Sequence, residues 1–475
     1  MESRELLIGG RAVEAPDADA VTNPYTGETL AQVPLAGPEQ VELAIATAAQ
    51  AFEPFAAWPA HRRAAVLCAV AEGIAARRAE LADAIVAEGG KPVTQALGEV
   101  DRAVNTFSIA AEEAKRVGGE VIPADVTPAG EGCIALTRRF PVGPVTAISP
   151  FNFPLNLVAH KLAPALAVGC PVVLKPPVQT PLTPLMLAEI VAAAGAPEGA
   201  FTVLPCKVEP AQALITDDRM AVLSFTGSAA VGWKLKALAG KKRVTLELGG
   251  NAAAIVCPGT DLKAAAARIA WGAFAYGGQV CISVQRILVH ASVHDAFVEV
   301  LVAATQALPV GDPRDPQTVV GPLIDAGAAD RVTAWVEEAV TAGARALTEP
   351  RREGNVVSPV LLADVPGTVK VSCEEVFGPV ATVAPFDTFD EAIERVNDSP
   401  YGLQAGIFTD DLGEALKAHA RLRVGGVVVG DIPTLRLDHT PYGGSKESGL
   451  GREGVRYAMD ELTEPRLLLI VRKGV

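Results

Sequence analysis

A chain of 475 residues that is 49% apolar and only 20% charged can bury more than one hydrophobic core, so two or three domains are expected. The formal net charge of -14 excludes a surface that tracks nucleic-acid phosphates, because such surfaces cluster Lys and Arg. The opening MESRELLIGGRAVEAPDADA holds no leader-like apolar run and no stretch of about 20 apolar residues follows, so no membrane span is expected and a cytoplasmic location is.

From about Glu39 to Ala114, VELAIATAAQAFEPFAAW and HRRAAVLCAVAEGIAARRAELADAIVAEGGK place Ala, Leu, Ile and Val three or four residues apart, which predicts packing helices. EGCIALTRRFPVG then reads as a short strand of mixed apolar and charged residues. Between Pro141 and Gly250 the texture becomes strand-helix alternation: PVTAISP, NLVAHKLAPALAVG, CPVVLKP, a helix from Pro184 to Ala194, FTVLP, a helix near Ala211, and MAVLSFTG. That pattern predicts a parallel sheet with crossover helices. AAIVCP leads into a second α/β block from Leu262 to Val429, with QRILVH, AFVEVLVAATQAL, VATVAPF and GGVVVG. The terminal RLLLIVRK resembles EGCIALTRRFPVG in texture; isolated two-stranded structures are weak, so the two are expected to complete a sheet with each other or with a neighbouring subunit.

Seven cysteines, odd in number and without C-x-x-C spacing, predict neither a disulfide framework nor a metal site, and most should be small buried residues. Cys281 has a different setting. In WGAFAYGGQVCISVQRILVH a helical stretch breaks at Gly277-Gly278 before a strand, so the thiol lies at an element boundary that can present it to a cavity. VTLELGGNAAAIV ends a strand on Glu247, where a carboxylate among apolar residues is costly unless it faces water or a partner. A salt-bridged structural Glu would satisfy the same pattern.

Eight motifs occur in one order: the N-P-x-T-G-E turn at Asn23-Pro24, then SPFNFPLN, VVLKP, SFTGS, LELGGN, GGQVC, EEVFGP and PYGGSKESGLGRE. Through them the chain resembles the aldehyde dehydrogenase superfamily. The resemblance implies an α/β fold with a Rossmann-like cofactor domain (1–121 and 142–248), a catalytic α/β domain (249–448) and a small oligomerisation sheet (122–141 and 462–475), assembled as a homodimer or homotetramer. It implies Cys281 as nucleophile, Glu247 as general base and Asn152 as oxyanion donor. For NAD or NADP it implies Lys175 at the adenosine ribose or its phosphate, Gly227 and Ser228 at the pyrophosphate, and Glu375 with Phe377 at the nicotinamide end. Relatives often carry K-P-x-E where this chain reads KPPVQ, so Val178 replaces a carboxylate that would repel a 2′-phosphate, and strict NAD preference is not expected. Glu247 argues against a coenzyme A-acylating enzyme, and the intact Cys281, Glu247 and Asn152 argue against a non-catalytic protein that merely keeps the fold.

For the small-molecule aldehyde, Phe153, Leu157 and His160 fall at helical spacing beside Asn152, and His160 stands where relatives that oxidise apolar aldehydes tend to be aromatic. Arg436 and His439 occupy the loop GDIPTLRLDHTPYGG, and Arg102 lies in the helical GEVDRAVNTF. Arg102, His160 and Arg436 together predict a small aldehyde with an anionic or hydroxylated tail, since guanidinium forks suit carboxylate and phosphonate. This places the chain near the lactaldehyde, glyceraldehyde-3-phosphate and phosphonoacetaldehyde dehydrogenase branch, although Val280 stands where some phosphorylated-substrate members carry Arg. Arg286, at the start of a strand, is expected to be structural.

Overall fold

Two buried parallel sheets organise the computed structural model, which describes residues 2–3 and 5–471. Residues 1, 4 and 472–475, at the ends of the segments assigned above to the cofactor domain and the oligomerisation sheet, lie outside the described residues. The first sheet holds Phe201–Val203, Val172–Lys175, Val145–Ile148, Val222–Thr226 and Arg243–Glu247, parallel and in that spatial order. Its order therefore reverses between Val145–Ile148 and Val222–Thr226. Side chains alternate between two cores: Val172 and Leu174 pack with the helices Ala60–Ala76, Val93–Glu113 and Asn156–Val168, whereas Val173 packs with Pro38–Ala56 and Val208–Thr216. Burial on both faces explains why these strands read as continuous apolar runs.

The second sheet runs Val360–Ala363, Val380–Phe386, Val284–His290, Ala252–Val256, Gln404–Phe408 and Gly426–Val429, all parallel, with Arg345–Ala346 antiparallel at one edge. The chain crosses from the first sheet to the second in the four residues after Glu247. After the second sheet, Gly449–Leu450 returns to pair with Leu246 and Glu247 on the first. A third sheet joins Cys133–Pro141 to Thr463–Val471 in antiparallel register, with Val121–Ile122 on the other side. The two mixed strands thus pair with each other. Among the described residues no helix is long and apolar enough to cross a membrane.

Two local expectations are corrected. The helix placed at Pro184–Ala194 spans Leu182–Ala193, because the Glu88 carboxylate, distant in sequence, accepts from the backbone N–H groups of Leu182 (2.7 Å) and Thr183 (2.9 Å) and caps an earlier start. Phe153 does not share the helical face of Leu157 and His160. The residue before a proline is disfavoured in α geometry, so Phe153, preceding Pro154, stays in the turn and the helix begins at Asn156.

Candidate active site

Glu247 ends the first sheet, and Gly249-Gly250 carries the chain past two other site elements. A Cβ on Gly249 would stand 2.3 Å from a Glu375 carboxylate oxygen, and one on Gly250 would stand 2.3 Å from the Cys281 carbonyl oxygen. Only glycines permit that approach. Cys281 lies between the 3-10 turn Ala275–Gly278 and the strand Val284–His290. Gln279 fixes this loop by donating to the carbonyls of Tyr276 (3.1 Å) and Pro322 (3.2 Å) and accepting from the Ile324 N–H (2.9 Å).

Asn152 follows the strand Val145–Ile148, and its Nδ2 donates to the Gln279 carbonyl at 2.8 Å, which ties the buried amide to the loop that carries the thiol. The Cys281 Sγ lies 3.3 Å from the Tyr442 hydroxyl. Burial pushes this thiol up to about 11, against the Tyr442 hydrogen bond and the Arg436 charge, which act to lower it. Both Glu247 carboxylate oxygens are buried without a hydrogen-bond partner among the described residues. Burial, then the neighbouring Glu453 charge, raise this carboxyl well above the usual range. The thiol therefore rests in its neutral form near neutral pH.

Behind the thiol lies a buried charge network. The Arg436 guanidinium stacks 3.7 Å from the centre of the Tyr442 ring and donates to Glu453 at 3.1 Å. Glu453 also accepts from Lys161 at 3.1 Å. Burial favours the neutral Glu453 acid, but Lys161 and Arg436 outweigh it and bring its pKa to about 2.

Asp438 gathers a second cluster. Arg102 grips it with two donors (3.2 and 2.6 Å), His160 Nε2 stands 2.8 Å from its Oδ1, and Asn156 donates to the same oxygen at 3.3 Å. Burial, then the Arg436 charge, lower the His160 pKa to about 4, so the ring is neutral. A carboxylate only accepts, so the proton sits on Nε2 and Nδ1 is left as a buried acceptor with no partner among the described residues. Arg436 Nε is likewise buried without a partner among them. Of the three side chains expected at the substrate, Arg102 is 32% exposed, Arg436 6% and His160 0%. His439 is exposed, and Arg286 donates to the carbonyls of Asn251, Arg395 and Val396, as a structural Arg does.

The first sheet reverses its strand order where parallel α/β sheets bind dinucleotides, at the carboxyl ends of the strands. Gly227 and Ser228 lie there, with Ser228 as N-cap of the helix Ala229–Leu238. Ser149 Oγ and Thr226 Oγ1, at the same strand ends, are buried without a hydrogen-bond partner among the described residues, which suits polar atoms that face a ligand. Lys175 ends its strand partly buried, its ammonium donating to the Pro176 carbonyl at 3.4 Å, and Val178 is exposed beyond it. Glu375 accepts from the Gly250 N–H at 2.8 Å, and burial pushes its carboxyl up to about 7. Phe377 adopts a left-handed backbone (φ 46°) and meets Phe151 edge to face at 5.8 Å. These residues fit a nicotinamide dinucleotide.

The reading by residue type omitted Asp438, Tyr442, Glu453 and Lys161. A carboxylate two residues from Arg436 and a lysine beside His160 were the available signals.

The family model described as the aldehyde dehydrogenase family matches residues 13–468. A 3-sulfolactaldehyde dehydrogenase of Priestia aryabhattai is 43% identical over 466 residues, covering 98% of this chain and 97% of that protein. The crystal structure of aldehyde dehydrogenase 21 from Physcomitrella patens in complex with the reaction product succinate superposes with a TM-score of 0.97 at 43% identity, covering 100% of this chain and 99% of that one. The glyceraldehyde-3-phosphate dehydrogenase of Methanocaldococcus jannaschii complexed with NADP gives 0.92 at 38% identity, covering 96% of this chain and 100% of that one. With these matches spanning both sheets and the site between them, the chain belongs to the aldehyde dehydrogenase family and is an oxidoreductase that converts an aldehyde to a carboxylic acid with NAD or NADP.

Proposed function

We propose that the substrate is a small aldehyde carrying a hydroxyl and an anionic tail, and that Cys281, Glu247 and Asn152 perform the chemistry on it. The observation that carries the substrate reading is the pair of buried, unpartnered groups, His160 Nδ1 and Arg436 Nε. An acceptor suits a hydroxyl and a donor on a cation suits an anion, whereas an apolar tail would leave both unsatisfied at about 1–3 kcal/mol each. Arg102, held by Asp438 and partly exposed, offers a second cation. The relatives named for 3-sulfolactaldehyde and glyceraldehyde-3-phosphate are named for aldehydes with both features, and the one holding succinate has a product that shares the anionic tail but not the hydroxyl.

In this reading the Cys281 thiol loses its proton to solvent, its sulfur then bonds to the aldehyde carbon as the carbonyl π bond breaks, and the free Asn152 N–H with the Cys281 backbone N–H holds the oxyanion. NAD or NADP, held by Lys175, Gly227, Ser228, Glu375 and Phe377, supplies the hydride acceptor. Glu247 then takes a proton from water as the water oxygen attacks the thioester carbon and the sulfur leaves. Its placement without a competing partner supports water, not coenzyme A, as acyl acceptor. Seven free cysteines are the state a reducing compartment maintains, which supports a cytoplasmic location. The exposed apolar strand Thr463–Val471 supports a homodimer or homotetramer. The domain limits given from sequence, 1–121 with 142–248, 249–448, and 122–141 with 462–475, are retained as part of this proposal.

Steady-state kinetics with short anionic 2-hydroxyaldehydes, a neutral short aldehyde and a long aliphatic aldehyde test the substrate reading. The anionic hydroxyaldehydes should give the highest kcat/KM, by about tenfold or more over the neutral compound. Preference for the long aliphatic aldehyde would refute it.

A further inference from the structure

We propose that the Tyr442 hydroxyl is a catalytic hydrogen-bond donor to the Cys281 thiolate, held in register by the stacked Arg436 and by Glu453. The proposal rests on Cys281 being the nucleophile. The Tyr442 oxygen lies 3.3 Å from the Cys281 sulfur, within reach of a sulfur hydrogen bond, and that sulfur is its one hydrogen-bond partner among the described residues. While the thiol is neutral either atom can donate. Once the thiol proton is lost to solvent the sulfur can only accept, so the phenol must be the donor. Burial and the neighbouring Cys281 keep the phenol itself protonated, which preserves that donor.

The ring cannot easily turn away. Tyr442 and Glu453 exchange backbone hydrogen bonds, Tyr442 N–H to the Glu453 carbonyl at 3.0 Å and Glu453 N–H to the Tyr442 carbonyl at 2.7 Å. The Glu453 side chain in turn holds Arg436, whose guanidinium lies 3.7 Å over the Tyr442 ring. One residue therefore fixes the tyrosine through its backbone and the stacked cation through its carboxylate. A cation over the face of a phenol draws electron density from the ring and makes its O–H a stronger donor. The site otherwise works against a thiolate, because burial and the Glu375 and Glu247 carboxylates all disfavour a negative sulfur. Tyr442 and Arg436 are the two groups that oppose this.

Alkylation of Cys281 by iodoacetamide, with iodide as leaving group, reports the thiolate directly. It is followed by mass spectrometry of the Cys281 peptide from neutral to alkaline pH, without cofactor. Below the thiol's pKa the rate should climb about tenfold per pH unit in the wild type. In Tyr442→Phe, which keeps the ring and its stacking, the rate at neutral pH should fall about tenfold and the profile should move to higher pH. Replacing all tyrosines by fluorotyrosine, which strengthens the phenol as donor without removing it, should move the profile to lower pH and decides the matter if Tyr442→Phe does not fold. Profiles that coincide with wild type, or that move in the same direction in both proteins, overturn the proposal. Turnover retained by Cys281→Ala would instead remove the nucleophile reading, an outcome separate from the alkylation profiles.

Discussion

Val178 is exposed three residues beyond Lys175, at the carboxyl end of the strand Val172–Lys175. On the proposed cofactor placement, a glutamate here would set a negative charge near the adenosine ribose, where it would repel a 2′-phosphate but not a 2′-hydroxyl. Val178→Glu should therefore raise the KM for NADP by about tenfold while leaving that for NAD nearly unchanged, as a like-charge contact near the surface implies. Initial rates with each cofactor check this, and an unaltered NADP-to-NAD ratio would remove Val178 from cofactor choice. The position is informative in the sequence because it breaks a recognisable string. Cys281, Glu247 and Asn152 could be named as candidates for the same reason, each lying in a motif that carries the family resemblance, and the glycines beside Glu247 have a local geometric cause in the contacts of Gly249 and Gly250. What residue type could not convey was the protonation of those groups, which depends on burial and on charges brought in from elsewhere.

At the scale of elements, the loop following Gly426–Val429 carries Asp438 to the first turn of the helix Asn156–Val168, where Arg102, Asn156 and His160 converge on it. Removing this acceptor leaves several donors buried without a partner. Asp438→Ala should cost about 2–4 kcal/mol in urea unfolding and should raise the KM for an anionic aldehyde more than that for a neutral one. A variant of unchanged stability and unchanged selectivity would show that Asp438 orients nothing. Arg102, His160 and Arg436 could each be named from the sequence as a polar candidate. Their division between two carboxylates, Asp438 for the first two and Glu453 for Arg436, was not, because those contacts join residues up to 336 positions apart. Helix beginnings were obscured likewise: Glu88 caps Leu182–Ala193 from 94 residues away.

On the scale of the whole molecule, alternation of apolar strands and helices was enough to anticipate two α/β sheets and a small third sheet, because the periodicity follows from which faces are buried. The outer strand Thr463–Val471 exposes Leu467 (62%), Leu468 (53%), Leu469 (50%), Ile470 (44%) and Val471 (61%), an apolar edge that water leaves poorly accommodated. On the proposal that a homo-oligomer forms through this edge, Leu467→Asp combined with Leu469→Asp should shift the protein to a smaller species by size-exclusion chromatography with light scattering. An unchanged mass would overturn the proposal that this edge is a subunit contact. The segment 436–453 has a different reach. It bears Arg436, Asp438, Tyr442 and Glu453 on one uninterrupted length of chain, whereas Asn152, Glu247 and Cys281 come from three separate ones. On the proposed roles, aldehyde preference and thiol acidity share this short span of coding sequence, so a change there that selects a new tail also bears on the reactivity of the sulfur.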